Sequence, residues 1–561
     1  MPVQRTPLTQ PIETRDGTLT KDSKNVNGYF ESRDQKREFI KRPGLATVNL
    51  SSPLPTAEGQ GIYFYNGYIY SVVNNTVYKT DPNTNVTTSV GSITGTIKQC
   101  YFTPTFLGTY LFFHNQTNGY LINGSTGAFS QITNDKVASV TILTGGTGYA
   151  STDTVVFSAP PSGTTATGTL QLTGGVVTGI TITNPGTGYV TAPTVSITTS
   201  TGSSFSGTTL LSYFPTTGLV SGVAFLDGYV FVGLPNGRIY SCAVGDPTIW
   251  NPLDYITAEA ESDNSLAVCK HLNYIMNFGA WSLEFFYDNA NPVASPLAAA
   301  TSYKAEVGCA NGDSVVQFEQ TVAWIGTSLA SGTGIFLLDG TAPTRISTPY
   351  IDRILGNSNF SKVTAYAFKM NGHMFYVCSL HDLNITIVYD FNEKMWYQWT
   401  MWAIDPVTSI YGEQYFRPSY FTKVNNLYYL LDDDNGTMYT LSDTNYTDAG
   451  APIYYRVITD IVDNGTTKRK FYQRLEIIGD KIPATMKIRH TGDDYKTWSS
   501  YRSVDLSKPR AQIYLGGADR RRAWEFLCTD PQPLRLDAAE IDFKIGEIEN
   551  EGLQPTQYRK S

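Results

Sequence analysis

Short runs of alternating apolar and polar residues recur along the middle of the chain. In each run an apolar strand breaks at Gly or Asn, a second strand rich in aromatic residues follows, and a polar turn closes the unit. Alternation with a period of two predicts β-strands that have one buried face. Seven such units are visible, at residues 63–79, 106–122, 225–240, 272–287, 322–338, 368–399 and 424–441.

The spacing of these units predicts their architecture. Apart from an inserted segment at 137–210, about 310 residues between 61 and 445 contain the seven units, or about 45 residues for each unit. That is the length of a four-stranded blade of a β-propeller. We therefore expect a β-propeller of six to eight blades, with seven the preferred number.

The inserted segment at 137–210 has a different composition. Asp153 is the only charged residue among these 74, and most of the others are Gly, Thr, Ser and Val. A duplication of period 40 aligns Gly148-Tyr149 with Gly188-Tyr189. Because turns interrupt period-2 apolar strands in both copies, we expect a small two-repeat β module rather than a flexible linker. Inserted between two blades, the module should project from the propeller.

The two ends of the chain lack the propeller repeat. After residue 450, period-2 strands alternate with polar turns, a pattern that favours an antiparallel β-sandwich. Since the termini of a domain commonly lie close together, we expect residues 1–60 and 448–561 to form one platform, attached to a propeller made of 61–136 and 211–447. Deletion of residues 1–45 should then abolish assembly while the propeller stays folded.

Charge separates the same regions. The chain of 561 residues is 41% hydrophobic and 13% aromatic but only 16% charged, against roughly 25% charged in an average soluble protein. Residues 1–50 carry 9 basic and 6 acidic side chains, residues 468–561 carry 18 and 14, and residues 51–467 carry 14 and 29. The middle is therefore acidic, with a net charge of −15, and both ends are basic.

Targeting and redox signals are few. The chain contains no run of apolar residues as long as the roughly 18 that a membrane span requires, and its start lacks the apolar core of a secretory signal. We expect a soluble protein made in a cytoplasm.

No two of the six cysteines form a C-x-x-C pair and the five histidines are scattered, so we expect reduced, mostly buried thiols at Cys100, Cys242, Cys269, Cys309, Cys378 and Cys528.

Candidate catalytic residues are also few. The sequence has no Gly-rich phosphate loop, no G-x-S-x-G elbow and no H-E-x-x-H motif. Glu259 and Glu261, at i and i+2 of an expected strand, would share one face and could form a carboxylate pair, although such pairs are common on solvated strands. The run 432–436 loosely resembles a calcium loop but lacks its twelfth-position Glu, and a hairpin turn is favoured. We predict no catalytic, cofactor-binding or metal site, and no cofactor.

Arg520, Arg521 and Arg522 form the densest basic cluster of the chain. Arginine can clamp phosphates bidentately, so a nucleic-acid contact is conceivable. Successive strand residues alternate faces, however, so one of the three should point inward or pair with an acid. No interleaved aromatic residues offer a stacking platform for bases. A structural or inter-subunit salt bridge is the favoured interpretation.

Several segments occur in an order that is similar to one family. The most specific segment is 240–263, in which a strand ends in Asp-Pro-Thr and Trp and then Thr-Ala-Glu follow. A second segment, 275–288, contains Phe-Gly and Ser-Leu-Glu, and a third, 322–348, contains Trp-Ile-Gly, Asp-Gly and Arg-Ile-Ser-Thr. The opening motifs lie at 27–31 and 41–45. They resemble the tail hub or nozzle proteins of short-tailed bacteriophages (podoviruses), also called packaged-DNA stabilisation proteins. The resemblance covers most of the chain outside 137–210.

The resemblance implies a structural virion protein and not an enzyme. It implies a homohexameric ring under the portal and its adaptor protein, closing the portal channel, retaining packaged DNA and conducting it at ejection. Double-stranded DNA would pass through the lumen without specific binding, and tail fibres or spikes would attach outside. The protein would be made in the host cytoplasm and reside in the phage tail.

Two points stay open at this stage. The insert at 137–210 departs from the family's pattern, and its Gly-Tyr repeats resemble small β modules of other phage tail proteins, which suggests fibre or receptor attachment. The alternative functions are a β-propeller glycan hydrolase or lyase that acts on a host surface polymer, and a non-catalytic glycan-binding tail adhesin.

Overall fold

The protein is described here from a computed structural model that covers residues 3–7, 23–33, 36–216, 218–291, 294–405 and 408–546. Nearly every regular element in these residues is a β-strand, so the predicted mainly-β class is confirmed. The helical elements among them are one α-helix, Pro349–Asn357, and three short 3-10 helices, Phe106–Gly108, Gly312–Ser314 and His381–Leu383. No helix in the described ranges is long and apolar enough to cross a membrane.

Seven antiparallel sheets follow one another along the chain, one for each repeat unit, and we number them 1 to 7. Their strands are, in order, Gly59–Tyr65, Tyr68–Val73, Thr76–Thr80 and Thr87–Ser92 (sheet 1); Tyr101–Pro104, Tyr110–His114, Gly119–Asn123 and Phe129–Gln131 (sheet 2); Ala224–Leu226, Tyr229–Gly233, Arg238–Ala243 and Asp246–Thr257 (sheet 3); Ser265–His271, Tyr274–Gly279, Leu283–Asp288 and Leu297–Ala305 (sheet 4); Gly308–Cys309, Val316–Phe318, Thr321–Ser328, Gly332–Asp339 and Ala342–Arg345 (sheet 5); Val363–Met370, His373–Leu380, Ile385–Asp390, Met395–Ile404 and Tyr411–Tyr415 (sheet 6); and Pro418–Val424, Leu427–Asp432 and Met438–Ser442 (sheet 7).

In sheet 5 the short strand Gly308–Cys309 and Val316–Phe318 both pair with Thr321–Ser328, and we count Val316–Phe318 as the first strand and Thr321–Ser328 as the second. The turns that join the first two strands of the seven sheets then share a conformation. Each contains a non-glycine residue in the left-handed region of φ, at Asn66, Leu107, Asp227, Leu272, Glu319, Asn371 and Asn425. Asn and Asp tolerate this region better than other residues, because their short polar side chains can hydrogen-bond locally. The repeated turn explains why the sequence breaks six of the seven units at Gly or Asn, sheet 5 with Glu319-Gln320 being the exception.

Sheet 7 receives its fourth strand from the N-terminal part of the chain. Strand Gly44–Thr47 pairs antiparallel with Met438–Ser442, and the side chain of Leu45 is fully buried. Deletion of residues 1–45 would therefore remove Gly44 and Leu45 from sheet 7, so this segment is not separate from the propeller as the sequence suggested. The assignment of all of residues 1–60 to the platform needs the same correction.

Sheet 7 also packs against sheet 1. Ile62 and Ile69 of sheet 1 lie in one buried cluster with Leu431 and Met438 of sheet 7. The backbone N–H of Gly59 donates to the carbonyl oxygen of Asp433 over 3.1 Å. The first and last repeat units are thus neighbours in space, although more than 300 residues separate them in the sequence.

Two further sheets, which we call the platform, combine strands from both ends of the chain. One contains Val3–Pro7, Gly28–Arg33, Lys36–Lys41, Lys470–Gly479, Ala511–Asp519 and Arg535–Ile545, and the other contains Lys24–Val26, Tyr455–Ile458, Thr485–Thr491, Arg502–Asp505 and Ala523–Cys528. Strand Lys24–Val26 also pairs with the last long strand of sheet 6, so the second platform sheet is continuous with the propeller. Two short strands, Thr447–Asp448 and Ala451–Pro452, complete the connection.

One buried ion pair connects all of these parts. The guanidinium of Arg42 lies 2.5 Å from the carboxylate of Asp448, and both side chains are fully buried. The same guanidinium donates to the side-chain oxygen of Asn27 over 3.0 Å and to the carbonyl of Thr400, in sheet 6, over 2.8 Å. It lies 4.7 Å from the ring centroid of Phe416. The N-terminal segment, sheet 6 and the segment after sheet 7 therefore meet at one charge.

The insert folds into strands, as its duplication predicts. Its strands are Val137–Thr147, Thr154–Phe157, Thr167–Thr173, Val176–Asn184, Val195–Thr198 and Ser203–Leu211. They pair first with last, second with fifth and third with fourth, so the two repeats are related by an internal two-fold pattern. The hydroxyl oxygens of Tyr149 and Tyr189 accept equivalent backbone N–H bonds, from Phe205 and Ala166. The insert lies between sheets 2 and 3, and its domain boundaries stay a prediction.

Replacing Asp448 with Asn should destabilise the protein strongly. The change leaves the Arg42 charge buried without its counter-charge, and breaking a buried pair by removing one partner costs about 3–5 kcal/mol. The free energy of unfolding from chemical denaturation measures the effect. Asp494→Asn is the matched control, because it breaks the exposed pair with Arg521, and exposed pairs contribute about 0–1 kcal/mol. Equal, small effects of both variants would contradict the role given to Arg42.

Removing residues 137–210 and joining the ends with a short Gly-Ser linker should leave the propeller folded. Val137 and Leu211 are paired neighbours at the base of the insert, so the gap to be closed is short. Loop length affects closure only weakly, at about 0.6 kcal/mol for each doubling. Circular dichroism and the unfolding temperature of the shortened chain test this. Aggregation of the deletion variant would instead make the insert part of the propeller core.

Candidate functional site: the polar axis of the propeller

The first strands of the sheets converge on two adjoining polar cavities of about 350 Å³ each. Both are lined by Gln116 and Asp313, so they form one axial space. All seven sheets contribute to its wall at or just before their first strands, with Glu58, Gln99, Ser221, Leu266, Asp313, Lys362 and Tyr420. Convergence of equivalent positions from every sheet identifies this space as the axis of the propeller.

Asp313 of sheet 5 is held across the axis by donors from sheets 2 and 3. Its Oδ1 accepts hydrogen bonds from the hydroxyl of Tyr101, from Ser221 Oγ over 2.5 Å and from Gln116 Nε2 over 3.3 Å. Burial, with the Asp313 charge beside it, raises the pKa of Tyr101 well above its usual value. The phenol therefore stays protonated and acts as a donor. Asp313 thus ties three sheets together.

Asp433 forms a second node at the edge of the axis. Its carboxylate accepts hydrogen bonds from the hydroxyls of Tyr415, over 3.1 Å, and Ser419, over 2.8 Å, and it lies 3.1 Å from Lys362 Nζ. Lys362 also bonds to Glu58 over 2.9 Å. Burial lowers the pKa of Lys362, but Asp433 and Glu58 outweigh it, and the pKa is raised above its usual range. The ammonium is therefore a permanent bridge between sheets 1, 6 and 7.

The acidic run at 432–434 is a hairpin turn, as the sequence favoured. It joins two strands of sheet 7, and Asp432 Oδ1 accepts the backbone N–H of Asp434 over 2.9 Å. Ligand atoms of the three carboxylates lie within 4.8 Å of one another. Lys362, Arg417 and His381 already surround them with positive or hydrogen-bonding groups at 3.1 to 3.8 Å. The three carboxylates and these neighbouring groups therefore form a buried ionic network.

The glutamate pair considered for catalysis is not assembled on a strand. The strand before it ends at Thr257, and Glu259 and Glu261 lie exposed in the loop that follows. Glu261 instead forms an exposed ion pair with Lys304 over 3.3 Å. The expected common strand face is therefore wrong, because the strand stops two residues too early.

The three arginines lie between strands Ala511–Asp519 and Ala523–Cys528 and differ in their surroundings. Arg522 is buried, pairs with Asp519 and lies 3.8 Å from the ring centroid of Tyr472. Arg521 pairs with Asp494 over 3.0 Å, and Arg520 is exposed. The prediction that one arginine points inward and pairs with an acid is confirmed. The prediction of buried, unpaired thiols is confirmed as well, since all six cysteines are buried and free.

The axial space is too small to conduct a nucleic-acid duplex. The Asp313 and Asp433 networks cross the axial space and leave two cavities of about 350 Å³ each, whereas the major groove of DNA alone is about 12 Å wide. Sequence reasoning did not single out Tyr101, Ser221 or Asp313. The sequence marks each of them only as one polar residue near the start of a repeat unit. Their meeting at the axis depends on how the sheets pack together.

Comparison with known proteins finds one family model that is similar to the larger part of the propeller. Residues 182–446 match the family model named Phage_stabilise and described as "Bacteriophage P22 Gp10, beta-propeller". The matched part is a little under half of the chain and contains sheets 3 to 7. A search of curated proteins finds no match.

The search of solved structures returns matches of low identity and low TM-score. The computationally designed Ika8 protein matches at 11% identity over 71% of this chain and 99% of that chain, with a TM-score of 0.32. BamB from Moraxella catarrhalis matches at 8% identity over 74% of this chain and 94% of that chain, with a TM-score of 0.34. The Pan2 WD40 domain from Neurospora crassa matches at 7% identity over 72% of this chain and 96% of that chain, with a TM-score of 0.35. Likeness at this level gives no information on function. The resemblance to the phage DNA-stabilisation family and the β-propeller fold are confirmed by the family match, which indicates a structural protein of the phage tail and a place in the virion.

Replacing Asp432 with Asn should remove a pH dependence of stability. Burial, and then the neighbouring Asp433 charge, raise the pKa of Asp432 from 3.8 to about 7. The folded protein therefore keeps this proton at pH values where the unfolded chain has lost it. The contribution of Asp432 to the free energy of unfolding is therefore most favourable below about pH 4. It declines as the pH rises toward 7, by roughly 1.4 kcal/mol for each unit by which folding raises the pKa.

The Asn variant cannot ionise, so it should gain stability relative to the unmodified protein between pH 5 and pH 8. Unfolding free energies at several pH values measure this gain. Asp227→Asn is the control, because Asp227 is exposed and its replacement should change stability little at any pH in this range. A difference between the Asp432 variant and the unmodified protein that stays constant with pH would contradict the assignment.

Proposed function

We propose, from the phage family that residues 182–446 match, that the protein is the hub or nozzle of a short phage tail. In this role it closes the portal channel, retains packaged DNA and conducts it at ejection. The match over sheets 3 to 7 is the observation that carries the proposal. The proposed body is a closed propeller of seven blades, supported by the seven successive sheets and by the contact between sheets 1 and 7.

The proposed conduit lies between copies of the chain and not inside one propeller. The axial space of a single propeller is crossed by the Asp313 and Asp433 networks, so DNA needs another route. A closed ring of identical subunits offers such a route, since head-to-tail contacts between copies close into rings. We propose six copies, placed under the portal and its adaptor protein in a virion assembled in the host cytoplasm.

The acidic middle suits a channel that lets DNA pass. Proteins hold DNA through Lys and Arg contacts that neutralise phosphates, and affinity rises with the number of such contacts. Residues 51–467 carry a net −15 for each chain, or about ninety negative charges in a ring of six. Because screening limits each exposed charge to about 8 Å at physiological salt, the lumen-facing acids are the ones that act on DNA. We propose that acids outnumber bases on the lumen face.

The insert at 137–210 is proposed to carry fibres or spikes. It is a separate group of paired strands between sheets 2 and 3, with one charged residue in its entire length. An outward module can vary without changing the propeller, since insertions in repeat folds map to one surface. We propose no catalytic role, because the one carboxylate pair considered, Glu259 and Glu261, lies in a solvated loop.

The purified ring should have no measurable affinity for double-stranded DNA at physiological salt. Electron microscopy with image classification gives the ring number, and fluorescence anisotropy with a labelled duplex at about 150 mM salt gives the affinity. The same titration at lower salt serves as the control for detection, since any weak contact strengthens there. Tight, salt-sensitive binding by the ring would argue for a DNA clamp, and a monomer at all concentrations would contradict the nozzle.

A further inference from the structure

Two of the left-handed turn positions carry leucine where others carry Asn or Asp. The first-to-second-strand turns of sheets 1, 3, 6 and 7 place Asn66, Asp227, Asn371 and Asn425 there, whereas sheets 2 and 4 place Leu107 and Leu272. Leucine in this region has no local hydrogen bond to offset the steric conflict. Both positions therefore depart from the rule that the turns of sheets 1, 3, 6 and 7 follow, as does the turn of sheet 5, which places Glu319 there.

Leu107 gains little burial within the chain, and Leu272 is only partly buried. Leu107 is 85% exposed and Leu272 is 42% exposed. A strained and exposed apolar residue contributes nothing to folding, and departures of this kind concentrate at functional positions. The two leucines therefore indicate a contact outside the chain.

Leu107 and Leu272 lie on one face of the propeller together with other exposed apolar side chains. In an antiparallel four-stranded sheet the first and third turns lie on the same face, and the second turn lies on the opposite face. Val244, in the third turn of sheet 3, is 65% exposed, and Phe106 beside Leu107 is 53% exposed. Sheets 2, 3 and 4 are consecutive, so Phe106, Leu107, Val244 and Leu272 form what we call the apolar turn face.

The charged residues that adjoin this face are mainly acidic. Asp227, Asp246 and Asp288 lie in or beside these turns, and the turn segments themselves contain no Lys or Arg. Along the sequence the nearest base is Lys270, two residues before Leu272, and in space Lys79 of sheet 1 reaches Gly127 in the third turn of sheet 2. The face therefore suits a partner with exposed apolar side chains and positive charge.

One surface of the same chain has these properties. At one end of the first platform sheet Phe471 and Ile545 are 50% and 47% exposed. Strand pairing places Lys470 opposite Ile545, and Gly546 N–H donates to the Arg469 carbonyl over 2.8 Å, so the strand ends adjoin. The exposed bases at this end are Lys468, Arg469, Arg520 and Lys544. We call this surface, with its two apolar residues, the basic end.

We infer that the apolar turn face of one copy binds the basic end of a second copy. The inference rests on the proposed ring, for which it names the two contacting surfaces. The surfaces differ from each other, so the contact is head-to-tail, which is the type that closes into rings. Apolar side chains meet at its centre while Asp227, Asp246 and Asp288 face Lys468, Arg469, Arg520 and Lys544. The bases thus engage protein acids and not DNA phosphates.

The first test is the double substitution Leu107→Asn and Leu272→Asn. Asn suits the left-handed turn, so the monomer should unfold at the same or a higher temperature, while ring assembly should need at least about tenfold more protein. Sedimentation velocity over a concentration series measures assembly, and thermal unfolding measures the monomer. Leu329→Asn is the matched control, because Leu329 is 84% exposed in a second turn, on the opposite face, and does not have a left-handed φ.

The second test reverses charge on each surface. Asp227→Lys with Asp288→Lys should block assembly, and so should Lys468→Glu with Arg469→Glu. All four changes in one chain should restore rings, and an equal mixture of the two blocked variants should form rings of alternating composition. Like charges meet in each blocked variant alone, and opposite charges meet in both restored cases.

The outcomes separate the inference from the proposed function. If the unmodified protein forms no ring, the proposed nozzle fails and the inference fails with it. If the unmodified protein forms rings and the Leu107 and Leu272 variant assembles equally well, the inference alone is overturned. Rings blocked by both reversals without restoration in the four-fold variant also overturn the pairing of these two surfaces.

Discussion

The buried charge of Arg42 is the constraint on which the arrangement of the molecule depends. Its side chain has five N–H donors, and all five have acceptors: Asn27 Oδ1, the carbonyls of Pro43 and Thr400, and both carboxylate oxygens of Asp448. A buried charge is tolerated only when it is paired and hydrogen-bonded in this way. The most distant of these acceptors, Asp448, is 406 residues from Arg42 in the sequence.

That constraint explains why the ends of the chain and the propeller form one unit. Strand Gly44–Thr47, which completes sheet 7, begins two residues after Arg42, so the position of the guanidinium fixes where the N-terminal segment enters the propeller. Lys24–Val26, on the other side, pairs with both sheet 6 and the platform. A change at the Arg42 pair therefore affects both the edge of sheet 7 and the attachment of the platform.

The charges at the axis of the propeller are also paired and hydrogen-bonded, by other residues. Asp313 and Asp433 each accept hydrogen bonds or ion pairs from other sheets, so each of these two charges is also a crosslink between repeat units. These crosslinks occupy the space that a propeller pore would need. Function in DNA transfer, as proposed, then depends on surfaces between copies, where the net charge of the acidic middle and the exposed apolar turns have their effects.

The sequence by itself determined the features that depend on residues close together along the chain. Period-2 alternation identified seven units, which correspond to the seven sheets, and the duplication at 139–158 and 179–198 identified the insert with its paired Tyr149 and Tyr189. The turn at 432–436 and the inward Arg522 followed from local strand and turn geometry. The family resemblance was also present in the sequence, in the order of short motifs.

Only the tertiary structure decided the contacts between distant segments. It placed Gly44–Thr47 in sheet 7, brought Tyr101, Ser221 and Asp313 to one axis, and left Glu259 and Glu261 in a loop. No local pattern distinguishes Arg42 from other arginines, because its burial depends on an acid 406 residues away. Periodicity is set by the residues on one strand, whereas the partner of a buried charge is set by how all the strands pack together.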